Sequence, residues 1–522
     1  MKKLALFSFS LLILAGTAGA QTAKPNGKSP QVTTANGVIE GVKESSGVRS
    51  FKGIPFAAPP TGDLRWKAPQ PVKSWSGVKK CDRFGGQAMQ PRVYSDMIFR
   101  SSGVSEDCLY LNVWAPDGDA KDLPVLVYFY GGGYMAGDGS EPRYDCESMA
   151  KQGIVAVTVN YRLGVFGFIA HPELTKESPH HASGNYGLMD QAAALAWVHK
   201  NIRAFGGDPS RVTIGGESAG SFSVSAQMAS PLARGLIAGA IGESGSLLGS
   251  VTKSLAEGEE MGVAFARSCG VSTLAELRAL PAEKVQDVAK GYSNYRFPVV
   301  VDGYFFPKAP VDIYLAGEQA HVPLLVGWNF EEGNYESITG NDAPTKENYE
   351  KGVRRMFGAA ADSVLGLYAV ASDSDVQEVG TDLASDHFIA YSTWRWSDIQ
   401  ARTGGKPVYR YLFGGLRPVV KPARGPSHSA EIEYALGNLA LNTVYAWTAT
   451  DYGISSTMQG YFVNFIKSGD PNGKGINMGN LAQWPAVRPG APATVMHIGV
   501  PTGAKVEQHR DRYLFWQGRG GF

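Results

Sequence analysis

The sequence predicts an α/β fold built on a mostly parallel central sheet. Four near-continuous apolar runs, Leu123 to Tyr130, Ile154 to Val159, Val212 to Ile214 and Pro323 to Val326, read as strands buried on both faces. Segments with helical spacing separate them, notably Met189 to Phe205, where Ala, Leu and Trp recur on one side. Alternation of strand and helix places helices on both faces of the sheet. Two later stretches, Glu347 to Val370 and Leu383 to Arg402, are helical and longer than simple crossovers. They predict a helical cap or lateral extension beside the sheet.

Length and composition narrow the organisation. A chain of 522 residues allows two or three domains or one large one. With 49 basic against 48 acidic residues, nothing points to a nucleic-acid or anionic-membrane partner. An apolar fraction of 43% is an ordinary globular value and excludes wholesale disorder. Residues 1–20 read as a signal peptide: Lys2 and Lys3 precede the apolar run Leu4 to Leu14, and Ala18-Gly19-Ala20 supplies small residues for cleavage. The apolar run is too short for a stable span, so export to the periplasm or medium without a membrane anchor is the expectation. Residues 21–36 are polar and read as a flexible leader, and 37–522 show no repeat or linker. The four cysteines, Cys81, Cys108, Cys146 and Cys269, allow three pairings and contain no C-x-x-C, so neither zinc nor redox chemistry is indicated.

The residues suited to chemistry lie at turns. Gly216-Glu217-Ser218-Ala219-Gly220 follows a β-branched run and precedes a helix-compatible stretch, Ser221 to Ala229. That context predicts a sharp strand–turn–helix junction with Ser218 at its apex, a nucleophile facing a helix N-terminus. Gly131-Gly132-Gly133-Tyr134 follows the strongest predicted strand. Glycines there free backbone N–H groups to face an oxyanion, joined by the N–H of Ala219. The spacing does not fit a dinucleotide loop. A serine nucleophile needs a base and an orienting acid. His428 sits in the turn-rich Gly425-Pro-Ser-His-Ser-Ala-Glu431, whereas His387 lies in a helical stretch. Glu331-Glu332-Gly333 follows the strand Pro323 to Val326, with Asp302 as the alternative acid. No metal or organic cofactor is implied.

A further set of segments resembles the type B carboxylesterase/lipase family, which includes cholinesterases, para-nitrobenzyl esterases and neuroligins. They are Phe51-Lys-Gly-Ile-Pro-Phe-Ala-Ala-Pro-Pro60 with Leu64-Arg-Trp66, Ser105-Glu-Asp-Cys-Leu-Tyr-Leu-Asn-Val-Trp114, Asn185-Tyr-Gly-Leu-Met-Asp-Gln191, Gly215-Gly-Glu-Ser-Ala-Gly220 and Ser468-Gly-Asp-Pro-Asn472. The resemblance runs from about Gly37 to the C-terminus. It implies the α/β-hydrolase fold as one large catalytic domain over 37–522, and serine-dependent hydrolysis of small-molecule carboxylic esters through an acyl-enzyme. By position it matches Ser218 to the nucleophile, Glu332 to the acid and His428 to the base. It matches Gly132, Gly133 and Ala219 to the oxyanion donors, Glu217 and Ser244 to supporting polar groups, and Cys81 with Cys108 to a disulfide.

The chain also departs from the pattern. Cys269 lacks a nearby partner, leaving only Cys146. No Trp lies between Cys81 and Cys108, and Ile98 or Phe99 stands near the place of the cholinesterases' choline-binding Trp. Quaternary ammonium recognition rests on cation–π contact, so uncharged esters are favoured over choline esters. The alternatives are a lipase activated at interfaces, with the Cys81–Cys108 loop as its lid, and a non-catalytic neuroligin-like binding protein, which would lack the nucleophile present here.

Overall fold

The computed structural model describes residues 29–249, 252–418, 425–473, 481–490 and 492–521. The expected signal peptide and residues 21–28 of the expected leader lie outside these. The rest of that leader is ordered: Gln31–Thr34 forms a strand antiparallel to Gly37–Glu40, with Val32 and Thr34 buried. Alternation of side chains along an extended segment lets a polar stretch bury every second residue, a pattern that composition alone conceals.

Eleven strands form the main sheet: β1 (Val42–Lys43), β2 (Arg49–Pro55), β3 (Tyr110–Ala115), β4 (Leu123–Phe129), β5 (Val155–Val159), β6 (Gly207–Glu217), β7 (Gly239–Glu243), β8 (Leu324–Asn329), β9 (Val408–Phe413), β10 (Thr494–Ile498) and β11 (Gly503–Val506). Their spatial order is β11-β10-β9-β8-β7-β6-β4-β5-β3-β2-β1. From β10 to β5 every pairing is parallel, while β1, β2, β3 and β11 pair antiparallel at the two edges. All four strands read from the sequence are in the parallel core. β7 and β9, whose apolar runs are less pronounced, complete it. β4, β5 and β8 are buried along almost their whole length, as strands covered on both faces require.

The predicted helix from Met189 is Tyr186–Asn201, continued by a tighter turn to Phe205. Helix Ala219–Ala229 follows β6 directly. The two long helical stretches prove to be Lys346–Phe357, Ala361–Leu367, Val376–Ser385 and Tyr391–Thr403, with a π-helical turn at Asp386–Ala390. Together with Arg510–Gly518 they bury a second apolar cluster around Tyr349, Tyr368, Trp394, Tyr513 and Trp516, a lateral layer beside the sheet. Among the described residues, no helix is long and apolar enough to cross a membrane.

The Cys81–Cys108 disulfide is corrected by the structure, in which all four cysteines are unbonded thiols. The carbonyl of Cys81 accepts from Lys52 N–H (2.8 Å), whereas Leu109, next to Cys108, accepts from Phe56 N–H (3.2 Å). Those anchors stand four residues apart on β2 and just past it, on the order of 10 Å of extended chain. A disulfide needs Cα atoms within about 7 Å. Cys108 instead shares a small void with Met89 and Trp66. Burial pushes the Cys81 thiol up to about 12 and raises Cys108 and Cys146 well above the usual range, so all three stay protonated and unreactive. Alkylation under denaturing, non-reducing conditions is therefore expected to label all four cysteines, and the native protein far more slowly; peptide mass mapping reads both.

Candidate active site

The C-terminal ends of β4, β6, β7 and β8 converge on one point. At the end of β6, Ser218 holds φ +54° and ψ −121°, a strained conformation for a residue with a side chain, costing on the order of 1–3 kcal/mol. Two backbone hydrogen bonds hold it: Ser218 N–H donates to Glu243 C=O (2.8 Å), and Phe222 N–H to Ser218 C=O (2.9 Å). The flanking glycines are required by space. A Cβ at Gly220 would stand 2.0 Å from the Phe129 carbonyl oxygen, and one at Gly216 would stand 2.6 Å from the same atom.

The other two predicted residues arrive from separate loops. The His428 Nε2 lies 2.9 Å from Ser218 Oγ, and its Nδ1 lies 2.6 Å from Glu332 Oε2. The acid and base loops are joined by a backbone bond from Glu331 N–H to Pro426 C=O (3.1 Å). Glu332, not Glu331, faces the imidazole. Its second oxygen accepts from Asn329 N–H (2.5 Å) and Ser244 O–H (2.6 Å), which fixes the carboxylate plane. Asp302, the alternative acid, instead braces its own turn by accepting from the N–H groups of Tyr304 and Phe306. His387 packs edge-on against Phe357.

The glycine loop borders the serine. A Cβ at Gly131 would meet Ser218 Cβ at 3.1 Å and Glu217 Oε2 at 2.6 Å. Gly132 and Gly133 hold φ +106° and +64°, and the Gly132 carbonyl turns back to accept from Met135 and Ala136 N–H. Ala219 opens a helix, so its N–H lacks an intrahelical acceptor. Donors of this kind, preset and uncommitted, can stabilise a developing oxyanion.

Sequence reasoning missed part of the site. Glu431, fully buried, accepts from Asn329 Nδ2 (2.6 Å) and lies 3.0 Å from Ser244 Oγ. Phe388, on the π-helical turn, meets the His428 ring edge-on at 5.0 Å. Glu431 stands three residues after His428 in the same motif, which was a usable signal; Phe388 comes from the lateral layer and left none.

Electrostatics centre on the imidazole. Burial disfavours the imidazolium, but Glu217, Glu332 and Glu431 outweigh it and raise His428 to about 9. Glu217 Oε1 lies 3.3 Å from Nε2, and burial raises that carboxyl to about 8.

A carboxylesterase family model matches residues 28–516. The chain belongs to the carboxylesterase family. It is 35% identical over 485 residues to the fumonisin B1 esterase of Sphingopyxis macrogoltabida, covering 87% of this chain and 83% of that one. It is 35% identical over 475 residues to the para-nitrobenzyl esterase of Bacillus subtilis (strain 168), covering 87% and 92%. A solved PNB esterase structure matches with a TM-score of 0.78 and 31% identity, over 93% of this chain and 99% of that one. This carboxylesterase is thus an α/β-hydrolase that cleaves carboxylic esters, and the serine mechanism is general for its family.

A base must be neutral to accept a proton, so a catalytic role for His428 predicts activity that rises as pH passes upward through its pKa. Replacing Glu217 by Gln removes a carboxylate that favours the imidazolium. The acidic limb of the kcat/KM profile is therefore expected to move to lower pH in Glu217→Gln; a limb that stays or moves upward refutes the coupling.

Proposed function

We propose that Ser218, His428 and Glu332 carry the ester hydrolysis, with Gly132, Gly133 and Ala219 as oxyanion donors. The observation that supports this reading is the unbroken pair of hydrogen bonds from Ser218 Oγ through the imidazole to Glu332. Ser218 Oγ attacks the ester carbonyl as its proton passes to His428 Nε2. The backbone N–H groups meet the negative charge that develops on the carbonyl oxygen. Collapse of the tetrahedral intermediate breaks the bond to the alcohol, which leaves with the proton from His428. Water then repeats the sequence on the acyl-enzyme and releases the acid. Glu332 holds the Nδ1–H tautomer and stabilises the transient imidazolium. Ser244 and Glu217 support the acid and the base.

Ser218→Ala is expected to lose turnover by on the order of a millionfold. Glu332→Gln is expected to lose about ten-thousandfold, as triads with a misoriented histidine do, and Glu331→Gln less than about tenfold. Turnover of the three folded variants on one neutral ester checks the set; a crippled Glu331→Gln beside an active Glu332→Gln would overturn the acid assignment.

We also infer that residues 1–20 direct export and are removed. The order of basic, apolar and small residues supports this. The intact mass of exported protein is expected to correspond to a chain starting near Gln21, and a retained Met1 in that material would refute it.

A further inference from the structure

Resting on the esterase reading, we infer that the cavity beside the glycine loop takes a carboxylate-bearing arm of the ester, held by Tyr94 and Arg92 of its lining with Arg296 nearby. The segment after Cys81 passes over the oxyanion glycines. Met97 Cε lies 3.1 Å from where a Gly132 Cβ would be, and Tyr94 Oη lies 3.5 Å from the equivalent point on Gly133. Tyr94 and Met97 also line a cavity of about 360 Å³, together with Arg92, Val93, Ile98 and Phe99. That is the size of a small-molecule site, and Tyr94 and Met97 join it to the glycine loop.

Three polar groups at or near this cavity are uncommitted. Tyr94 is half-buried, and among the described residues its hydroxyl has no hydrogen-bond partner. Arg92 and Arg296 are exposed, and neither has an ion-pair partner among the described residues. Arg296 follows Tyr295, whose carbonyl oxygen lies 3.4 Å from where a Gly164 Cβ would be. Gly164 N–H in turn donates to the carbonyl of Tyr134, next to Gly133 (2.7 Å). Burial raises the Tyr94 phenol, and Arg296 opposes this more strongly than either Glu217 or Asp96 reinforces it. The nearby acids compete poorly with a bound anion: Asp96 is paired with Arg143 (3.4 Å), and Glu217 is pushed up to about 8 by burial.

Uncommitted guanidinium groups and a phenol beside the apolar side chains of Val93, Met97, Ile98 and Phe99 suit a carboxylate. The aliphatic part of the arm packs on Met97 and Ile98, and the charged end takes charge-assisted hydrogen bonds. The carboxylate can belong to the acyl half or to the alcohol half of the ester, and two substrate pairs separate these sources. The first pair is para-nitrophenyl hydrogen glutarate against para-nitrophenyl pentanoate. The second is the butyrate ester of 4-hydroxybutanoate against butyl butyrate.

For each pair the readout is the ratio of kcat/KM, anionic over neutral, which cancels differences in folded fraction. One pair is expected to favour the anion by about tenfold or more in wild type, and that pair identifies the half. The ratio is expected to fall by about tenfold in Arg296→Gln and further in the double variant with Arg92→Gln, to recover in part in Arg296→Lys, and to shrink as salt is added. Tyr94→Phe is expected to lower it several-fold. No anionic preference in either pair, or a preference that survives loss of both arginines, would overturn the inference while leaving ester hydrolysis intact. A wild type that hydrolyses neither neutral ester would overturn the esterase reading itself.

Discussion

The carbonyl oxygen of Phe129 leaves room for hydrogen alone on both sides of Ser218. It closes to 2.6 Å on the Gly216 Cβ position and 2.0 Å on that of Gly220. This close approach brings the end of β4 against the turn that follows β6. Because the glycine loop continues directly from β4, the same contact sets the backbone of Gly131, Gly132 and Gly133 beside the serine. Strain at Ser218 is tolerated because its N–H and C=O are both bonded within rigid elements. The site is therefore assembled by backbone packing first, and side chains are added to a turn that already points outward.

Around that turn the structure gathers more carboxyl groups than it can ionise. Glu217, Glu332 and Glu431 are buried around one imidazole, and Glu243 is buried at the end of β7. Glu243 accepts from Tyr128 O–H, and burial raises its pKa well above the usual range, with Glu431 adding to the rise. Glu332 differs in having a backbone N–H, a hydroxyl and the imidazole as partners. Those three contacts fix the plane of its carboxyl group against the imidazole.

The lateral helical layer reaches the triad at two places. A Cβ at Gly333 would stand 2.5 Å from the Ala384 carbonyl carbon, and Gly333 N–H donates to Ser385 Oγ (3.0 Å). One turn later the π-helical segment sets Phe388 against His428. A helix that looks like decoration on the sheet thus abuts both the acid loop and the base. Insertion of an extra residue per turn re-aims a side chain, a common use of π-helical turns.

The sequence by itself determined the parallel core, the glycine-flanked serine and the candidates Glu332 and His428. Those features are local: runs buried on both faces, a strand–Gly–Ser–Gly–helix junction, and a turn-rich histidine segment each leave a pattern within a few residues. Family segments matched the same glycines and added Glu217 and Ser244. Tertiary structure alone decided the rest. It separated Cys81 from Cys108 by placing them at different points along β2, and it turned part of the expected leader into a strand. It brought Asn329, Glu431 and Phe388 to the triad, and Tyr94 and Met97 over the glycine loop. These are relations between segments far apart in the chain, and only the packing of strands and loops in three dimensions sets such distances.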